Sequence, residues 1–456
     1  MSRTVVLYLL ASIFNSLPIF SEGNPLQNVL DVIVAEHPES KSLAGLSKSH
    51  KSHFESSGIL PDPKIGFAYR NYPTRNGYSI GGNNALDTPT MTGIEFSVSQ
   101  EFPFPGKLGT EKRIAKTIET EANLSYTLGV NRLVSDLLLR VNKFQRTEKK
   151  RLLNLKIIDL LNSQKVISEG YYSSGSIPLT GTIKVSVAKT SAMEKETEYI
   201  TLLGDLSNQL EYYNVSNKIN IQDLKGMDLD SFVEGGLKKI EDIGKSPEDF
   251  VQKTPDLKIL KTEEKKLKEQ VLLSKYNISP QTEVFFSYMK RKEQNFSLDK
   301  GPLNYGLMDV TEYRGDLFSF GLNMRIPAWS GLKWDSIVGE SLHLAEVGKY
   351  NLEKIQNQMQ SELNRNLQVI RGTSDQIKIL EKKLIPELEK IVKANSLLYV
   401  PGRTNFQDTL IAQTEVLNKK ILLEDLRERK SEAILNTLKL LSLAYEDRQN
   451  AVHERH

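Results

Sequence analysis

The feature that most constrains this chain is an internal duplication. The segment IEFSVSQEFPFPGK (residues 94–107) resembles FSFGLNMRIPAWSGLK (residues 318–333), with a proline at the matching position. Further along each copy, YSSG (172–175) matches YVPG (399–402). Self-similarity at a distance indicates a repeated structural unit. Each unit contains a strand, a proline-containing joint, a long helical segment, a Tyr-x-x-Gly turn and a return helix.

Four segments alternate apolar and polar residues as strands do, and they are residues 63–72, 92–102, 281–291 and 317–326. Each has about nine residues, the length that a tilted strand needs to cross a bilayer. Long connectors rich in Gly, Asn and Pro join the first two and the last two, so each pair is predicted to be a hairpin with an exposed loop.

The two faces of these strands differ in polarity. If they lie in a membrane, one face contacts lipid and the other a wet lumen. The residues predicted to face lipid are Phe67, Tyr69, Phe286, Tyr288, Phe318 and Phe320. The residues predicted to line the lumen are Lys64, Gly66, Ser97, Ser319, Asn323 and Arg325. A soluble sheet packed on helices would show the same alternation.

Most of the remaining chain has helical periodicity. The stretch 107–169 has no internal proline, and a helix of that length is on the order of 90 Å long. Apolar residues over 344–391 mostly recur every three or four positions. This spacing forms a narrow apolar seam, which is typical of coiled-coil packing. Further helices are predicted over 24–57 with a break near His37, over 182–213, and over 405–443, which begins with Thr404 and Gln407 at capping-box spacing.

These elements divide the chain into five predicted segments. They are a signal peptide (1–22), a first repeat (23–204), an insertion of mixed character (205–256), a second repeat (257–445) and a polar tail (446–456). The signal peptide is predicted from Arg3, the apolar run 5–14, and Pro18 and Ser21 before a polar segment. The chain is therefore expected to be exported.

Composition excludes several kinds of chemistry. The sequence has no cysteine, which excludes disulfides, thiolate metal sites and a lipidated N-terminal cysteine. A net charge of +3 gives no argument for a nucleic-acid partner. No Gly-rich phosphate loop, zinc-protease helix or nucleophile elbow is present. We therefore expect neither an enzyme nor a cofactor or metal site.

Four strands cannot close a barrel, and this leaves two bare edges on each chain. An unpaired edge is not viable in lipid, and the smallest bacterial barrels have about eight strands. If the strands lie in a membrane, the chain must therefore join copies of itself.

Three segments carry a resemblance to a known family. They are GILPDPKIGF (58–67), SQEFPFPGKLG (99–109) and the stretch 384–417. Together they resemble the TolC-type outer-membrane efflux proteins, in the version common among heavy-metal and cation efflux members. In the third segment the matching residues are Pro386, Tyr399, Gly402, Phe406, Asp408, Leu410, Ala412 and Gln413. The resemblance covers nearly the whole mature chain and is weakest over 205–254.

The resemblance implies an α+β membrane protein with two repeats of a β-hairpin plus long antiparallel helices. Three copies would form a 12-stranded β-barrel in the outer membrane, continued by a periplasmic α-barrel. The family's channels are passive ducts without cofactors, and their partners are a periplasmic adaptor and an inner-membrane pump, here expected to be of the RND type. Metal cations or small toxic compounds would be the cargo. Two alternatives stay open: a type I protein secretion channel, and a secreted coiled-coil scaffold or adaptor without a pore.

Two groups of candidate functional residues follow. The tips of the helical hairpins, which by resemblance meet the adaptor or form the gate, comprise Tyr172, Gly175, Ser176, Ile177, Leu179, Tyr399, Gly402, Arg403, Thr404 and Asn405. The joints between strand and helix comprise Pro103, Pro105, Gly106, Pro327 and Gly331. Gly175 and Gly402 are expected to supply the positive φ that ends a helix, and the joints to redirect the chain.

Overall fold

The computed structural model describes residues 25–71, 91–175, 178–215, 221–244, 247–299, 307–399 and 406–445. The predicted signal peptide and polar tail lie outside these residues, as do Ser176, Ile177, Gly402, Arg403, Thr404 and Asn405. The backbone of Tyr399 is helical.

The chain forms two compact units. We call Lys48–Glu121 with Leu260–Leu352 the sheet unit, and Met1–Ser47, Ala122–Ile259 and Glu353–His456 the helical unit. Each unit takes residues from both predicted repeats. The units and the repeats are therefore different divisions of the same chain.

The sheet unit contains the four predicted strands. They are β1 (Lys64–Arg70), β2 (Gly93–Phe102), β3 (Gln281–Arg291) and β6 (Leu317–Arg325). All neighbours are antiparallel, and the order across the sheet is β1-β2-β3-β6. The two predicted hairpins therefore join through β2 and β3 into one sheet.

The connector between β3 and β6 differs from the prediction of a loop. It contains β4 (Gln294–Asp299) and β5 (Leu307–Glu312), which pair antiparallel. Gln294 pairs with Glu312 in the same register that pairs Gln281 with Arg325, so the β3–β6 ladder resumes after a short interruption. Turn-forming residues in this connector predicted a loop, but cross-strand hydrogen bonding extends the hairpin.

Helices make up most of the described residues. They are α1 (Pro25–Glu36), α2 (Pro38–Ser56), α3 (Lys107–Ser173), α4 (Leu179–Glu211), α5 (Ile221–Lys225), α6 (Leu229–Ile243), α7 (Pro247–Lys253), α8 (Pro255–Asn277), α9 (Ala328–Gly331), α10 (Trp334–Ile379), α11 (Ile385–Tyr399) and α12 (Phe406–Leu440). The first predicted helix breaks at His37, as expected before a proline. Within the described ranges, no helix combines the length and the apolar character that crossing a bilayer requires.

The core of the helical unit lies among the long helices. Leu137 and Leu138 of α3 and Ile434 and Leu435 of α12 are fully buried. The predicted insertion packs on this core, because a Cβ built on Gly236 of α6 would lie 2.9 Å from Cδ1 of Leu438. A glycine at this position lets α6 approach α12 closely.

The predicted seam helix over 344–391 is not one regular α-helix. A wider π-helical turn at Leu380–Leu384 separates α10 from α11. Pro386 lies two residues after the end of this turn. It has no N–H, and its ring would clash with the carbonyl oxygen of Lys382 in a regular α-helix. The π turn gives the backbone the extra room that this proline needs.

Candidate channel wall and helix tips

One face of the sheet is apolar and exposed. Strand pairing places Phe67, Phe96, Tyr288 and Phe318 in one row across the four strands. The next row on the same face contains Ile65, Val98, Phe286 and Phe320. Phe67 is 77% exposed and Phe320 is 89% exposed. All six residues predicted to face lipid lie on this face, and an apolar surface of this extent marks a contact with lipid or with another protein.

The opposite face is mostly polar and contains small side chains, although the register also places Phe285, Met289 and Leu317 on it. We call it the polar face. Gly66, Ser97, Ser287 and Ser319 form one row across it. All six residues predicted to line a lumen lie on this face, because successive residues of a strand point to opposite sides. A Cβ on Gly66 would lie 2.5 Å from Oγ of Ser97, so this row is closely packed.

Several charged and polar groups on the polar face form one cluster. Lys64 Nζ lies 3.7 Å from Glu283 Oε1 and 3.8 Å from Glu101 Oε2. Ser99 Oγ donates to Glu283 Oε1 at 2.7 Å, and Asn323 Nδ2 donates to the other oxygen of that carboxylate at 3.4 Å. This polar cluster links all four strands and suits a surface in contact with water.

The sheet ends in two open edges. β1 and β6 are its outermost strands, and no strand of the described residues pairs with the outer side of either. Each edge presents unpaired backbone N–H and C=O groups. Both edges are therefore open to pairing with a further strand.

The first joint follows β2. The strand ends at Phe102, and α3 begins at Lys107, whose N–H donates to the carbonyl oxygen of Phe104 at 3.0 Å. Pro103 and Pro105 cannot donate to a sheet ladder. Gly106 has a φ of 94°, a conformation that favours glycine. The predicted residues therefore redirect the chain from strand to helix within four positions.

Gly106 is also in close contact with α8. A Cβ on it would lie 2.9 Å from the hydroxyl oxygen of Tyr276, whose ring stacks on that of Phe104 at 5.7 Å between centroids. We expect Gly106→Ala to lower the free energy of unfolding by about 1–3 kcal/mol, because both the positive φ and the contact with Tyr276 are affected. Gly109→Ala, one turn later in α3, is the matched control and should be neutral or slightly stabilising. Urea unfolding of the two purified variants measures the difference, and equal losses would contradict this account of the joint.

The second joint is built differently. β6 ends at Arg325, Pro327 precedes the single helical turn α9, and α10 begins at Trp334. A Cβ on Gly331 would meet no atom within 4 Å, so close packing does not require a glycine at this position. The two joints share a proline but not a conformation.

The first helical tip is described in part. α3 ends at Ser173, and Gly175 has a φ of 72°, as the predicted helix end requires. The N–H of Gly175 donates to the carbonyl oxygen of Tyr172 at 2.9 Å. Pro178 precedes α4 with an extended backbone. Tyr172 and Leu179 are each about half exposed, so both are accessible to a partner.

A charge network around the buried Arg146 and Glu424 of the helical unit was not predicted from the sequence. Arg146 of α3 contacts Asp230 of α6, and its Nη1 lies 3.1 Å from Glu424 Oε2 of α12. Glu424 also accepts from Arg427, which reaches Glu381 in the π turn at 2.5 Å. The network ties four segments that are far apart in the sequence.

Lys150 forms a second ionic contact between α3 and α12. Its Nζ lies 2.9 Å from Asp425 Oδ1 and 2.8 Å from Glu428 Oε2. Burial acts to lower the pKa of Lys150, but the hydrogen bonds to Glu428 and Asp425 outweigh it, and the pKa is raised. The lysine therefore stays charged. In the part of the chain that the structure describes, no group of three or more His, Asp or Glu side chains is arranged to hold a metal ion.

Comparison with known proteins finds similarity at the level of structure. No family model and no curated protein sequence matches the chain significantly. The outer-membrane channel CmeC from Campylobacter jejuni aligns with a TM-score of 0.70 and 12% identity, covering 96% of this chain and 93% of CmeC. The MtrE outer-membrane channel from Neisseria gonorrhoeae, in its open state, aligns with a TM-score of 0.64 and 12% identity, covering 92% of this chain and 89% of MtrE.

The third similar structure is that of CusC, a protein whose crystal structures concern conformational changes that accompany folding and transmembrane channel formation. It aligns with a TM-score of 0.66 and 11% identity, covering 93% of this chain and 95% of CusC. The chain therefore has the fold of these channels over nearly its whole length, the fold implied by the resemblance to the TolC-type proteins.

Proposed function

We propose that this protein is the outer-membrane channel of a tripartite efflux system, a passive trimeric duct. One observation carries the proposal: the four-stranded sheet has an exposed apolar face, a polar face and two open edges, and helices continue from it through the joints. In a membrane, the apolar face contacts lipid, the polar face lines water, and the edges must pair. The shared fold of solved outer-membrane channels supports the same conclusion.

The proposed assembly has three copies. Pairing β1 of one chain with β6 of the next closes a ring of strands, and the family resemblance favours three copies and twelve strands. The long helices would then form the wall of a periplasmic α-barrel. A closed ring removes every strand edge.

The proposed partners are a periplasmic adaptor and an inner-membrane pump of the RND type, and the proposed cargo is metal cations or small toxic compounds. These proposals rest on the family resemblance. The channel needs no catalytic group, because the pump would supply the energy. A scaffold or adaptor without a pore is disfavoured, because solved channels match nearly the whole chain.

The helix tips provide a test of the adaptor contact. The double variant Tyr172→Asp with Leu179→Asp is expected to form normal trimers and conduct in bilayers, yet to lose at least tenfold in cellular efflux, since about 1.4 kcal/mol of lost docking is tenfold in affinity. Tyr313→Ala is the control, because Tyr313 is an exposed tyrosine beside the sheet. Unchanged efflux in the double variant would remove these two residues from the docking surface.

Planar-bilayer recording of the purified protein tests the channel itself. We expect stepwise conductance from detergent-solubilised trimers. A protein that is monomeric in detergent and produces no conductance would refute the proposed function.

A further inference from the structure

Large apolar side chains remain exposed beyond the end of the strands at the second joint. Ile326 is 71% exposed, Trp329 is 83% exposed and Leu332 is 80% exposed. Trp334, at the start of α10, is also exposed. Tryptophan is enriched where membrane meets water, because its ring is apolar and its N–H is polar. In the sequence, these residues directly follow β6, whose exposed aromatic side chains belong to the apolar face.

The first joint has a matching apolar segment. Ile59 is 66% exposed and Leu60 is 47% exposed. The side-chain amide of Gln100 donates to the carbonyl oxygen of Pro61 at 2.8 Å, so this segment runs beside the end of β2. A Cβ on Gly58 would lie 2.9 Å from Cβ of Lys112, which places the segment against the first turns of α3.

Each apolar segment has an exposed lysine beside it. Among the described residues, no ion pair is found for Lys112 or Lys333. By contrast, Arg113 and Lys116, which lie near Lys112 on α3, pair with Glu269 and Glu119. The Nζ of Lys112 lies 5.8 Å from the centroid of the Phe54 ring. Both joints therefore combine exposed apolar side chains with a lysine that forms no ion pair with any described carboxylate.

We infer that the two joints bind the anionic phospholipid headgroups of the periplasmic leaflet. The inference rests on the proposed function, which places the sheet in the membrane and the helices in the periplasm. The apolar face of the sheet then continues into Ile59, Leu60 and Trp329 at headgroup level. Lys112 and Lys333 are positioned for lipid phosphates, since lysines near an anionic surface are attracted to it.

The sequence allows a direct test at the second joint. The chain has two tryptophans, Trp329 and Trp334, so its tryptophan fluorescence reports on this joint alone. Full-length trimers are reconstituted in phosphatidylcholine vesicles with or without phosphatidylglycerol. We expect phospholipids that carry a quencher on the headgroup to quench more than those that carry it at the chain end. At equal mole fraction, brominated phosphatidylglycerol should quench about two- to fivefold better than brominated phosphatidylcholine.

A charge variant and a matched control sharpen the test. Lys333→Gln should make quenching by brominated phosphatidylglycerol nearly equal to quenching by brominated phosphatidylcholine. Lys349→Gln should leave the ratio of the two quenching efficiencies unchanged, because Lys349 is exposed on α10 roughly 24 Å from Lys333, beyond the Debye length. Equal loss in both variants would contradict a specific role of Lys333.

Two other outcomes overturn the inference while the channel stands. In conducting trimers, quenching by aqueous acrylamide without quenching by headgroup-labelled lipid would place the tryptophans in water. Shielding from both quenchers would mean that a second copy covers the joint. Failure of the protein to insert into vesicles would refute the proposed function as well.

Discussion

Phe320→Arg is expected to reduce the free energy of unfolding of the membrane-inserted protein by about 2–4 kcal/mol per chain, because in the proposed barrel this position faces lipid near the bilayer midplane, where a cation is costly. Phe320 is the most exposed large apolar residue of β6. It pairs with Phe286 on the apolar face, so the variant puts a charge in the middle of that face. Urea unfolding in vesicles and the yield of heat-resistant trimers measure the effect.

Ser319→Arg is the matched control for this prediction. Ser319 is the preceding residue of the same strand, is exposed, and lies on the polar face. A lumen-facing arginine should change stability by less than about 1 kcal/mol while altering conductance. Equal destabilisation by both variants would show that the two faces do not meet different solvents.

Arg146→Met is expected to destabilise the helical unit by about 3–5 kcal/mol, because it removes one partner of a buried ion pair. The side chains of Arg146 and Glu424 are 8% and 9% exposed. Without the arginine, Arg427 is the one cation among the described residues that still contacts Glu424. Denaturant unfolding, monitored by the circular dichroism signal of the helices, measures the decrease in the free energy of unfolding.

Two further variants distinguish a buried network from a general charge effect. The double variant Arg146→Met with Glu424→Met should lose less than the single variant, because it removes the buried carboxylate together with its buried partner. Arg365→Ala removes an exposed pair with Glu362 and should cost less than about 1 kcal/mol. A loss in Arg365→Ala as large as in Arg146→Met would contradict the role of burial.

The sheet could be predicted from the sequence because its signal is local. Alternation of apolar and polar residues sets which face each side chain occupies, and the bounds of β1, β2, β3 and β6 differ from the prediction by no more than two residues. The joint at Pro103, Pro105 and Gly106 was also visible, since proline and glycine restrict or release the backbone by themselves. The faces of the sheet and the first joint therefore follow from residue types alone.

Other features depend on contacts between distant residues. Arg146, Asp230 and Glu424 belong to three helices, and periodicity shows that each is on a helix but not that they meet. The β4–β5 pairing was missed for a different reason, since its connector contains turn-forming residues while its register is set by β3 and β6. The π turn had a local signal in Pro386, which the prediction of a continuous seam overlooked.

The central claim is that three chains close one sheet through their β1 and β6 edges. The sequence has no cysteine, so Ala68→Cys in β1 and Ser319→Cys in β6 introduce the thiols at which a maleimide would react, with no native thiol to compete. Both positions are on the polar face. Treatment of the doubly substituted protein in vesicles with a flexible bis-maleimide should give a covalent trimer as the largest product, and neither single variant should give it. Products limited to monomers, or a ladder that continues beyond three chains, would contradict closure of the ring.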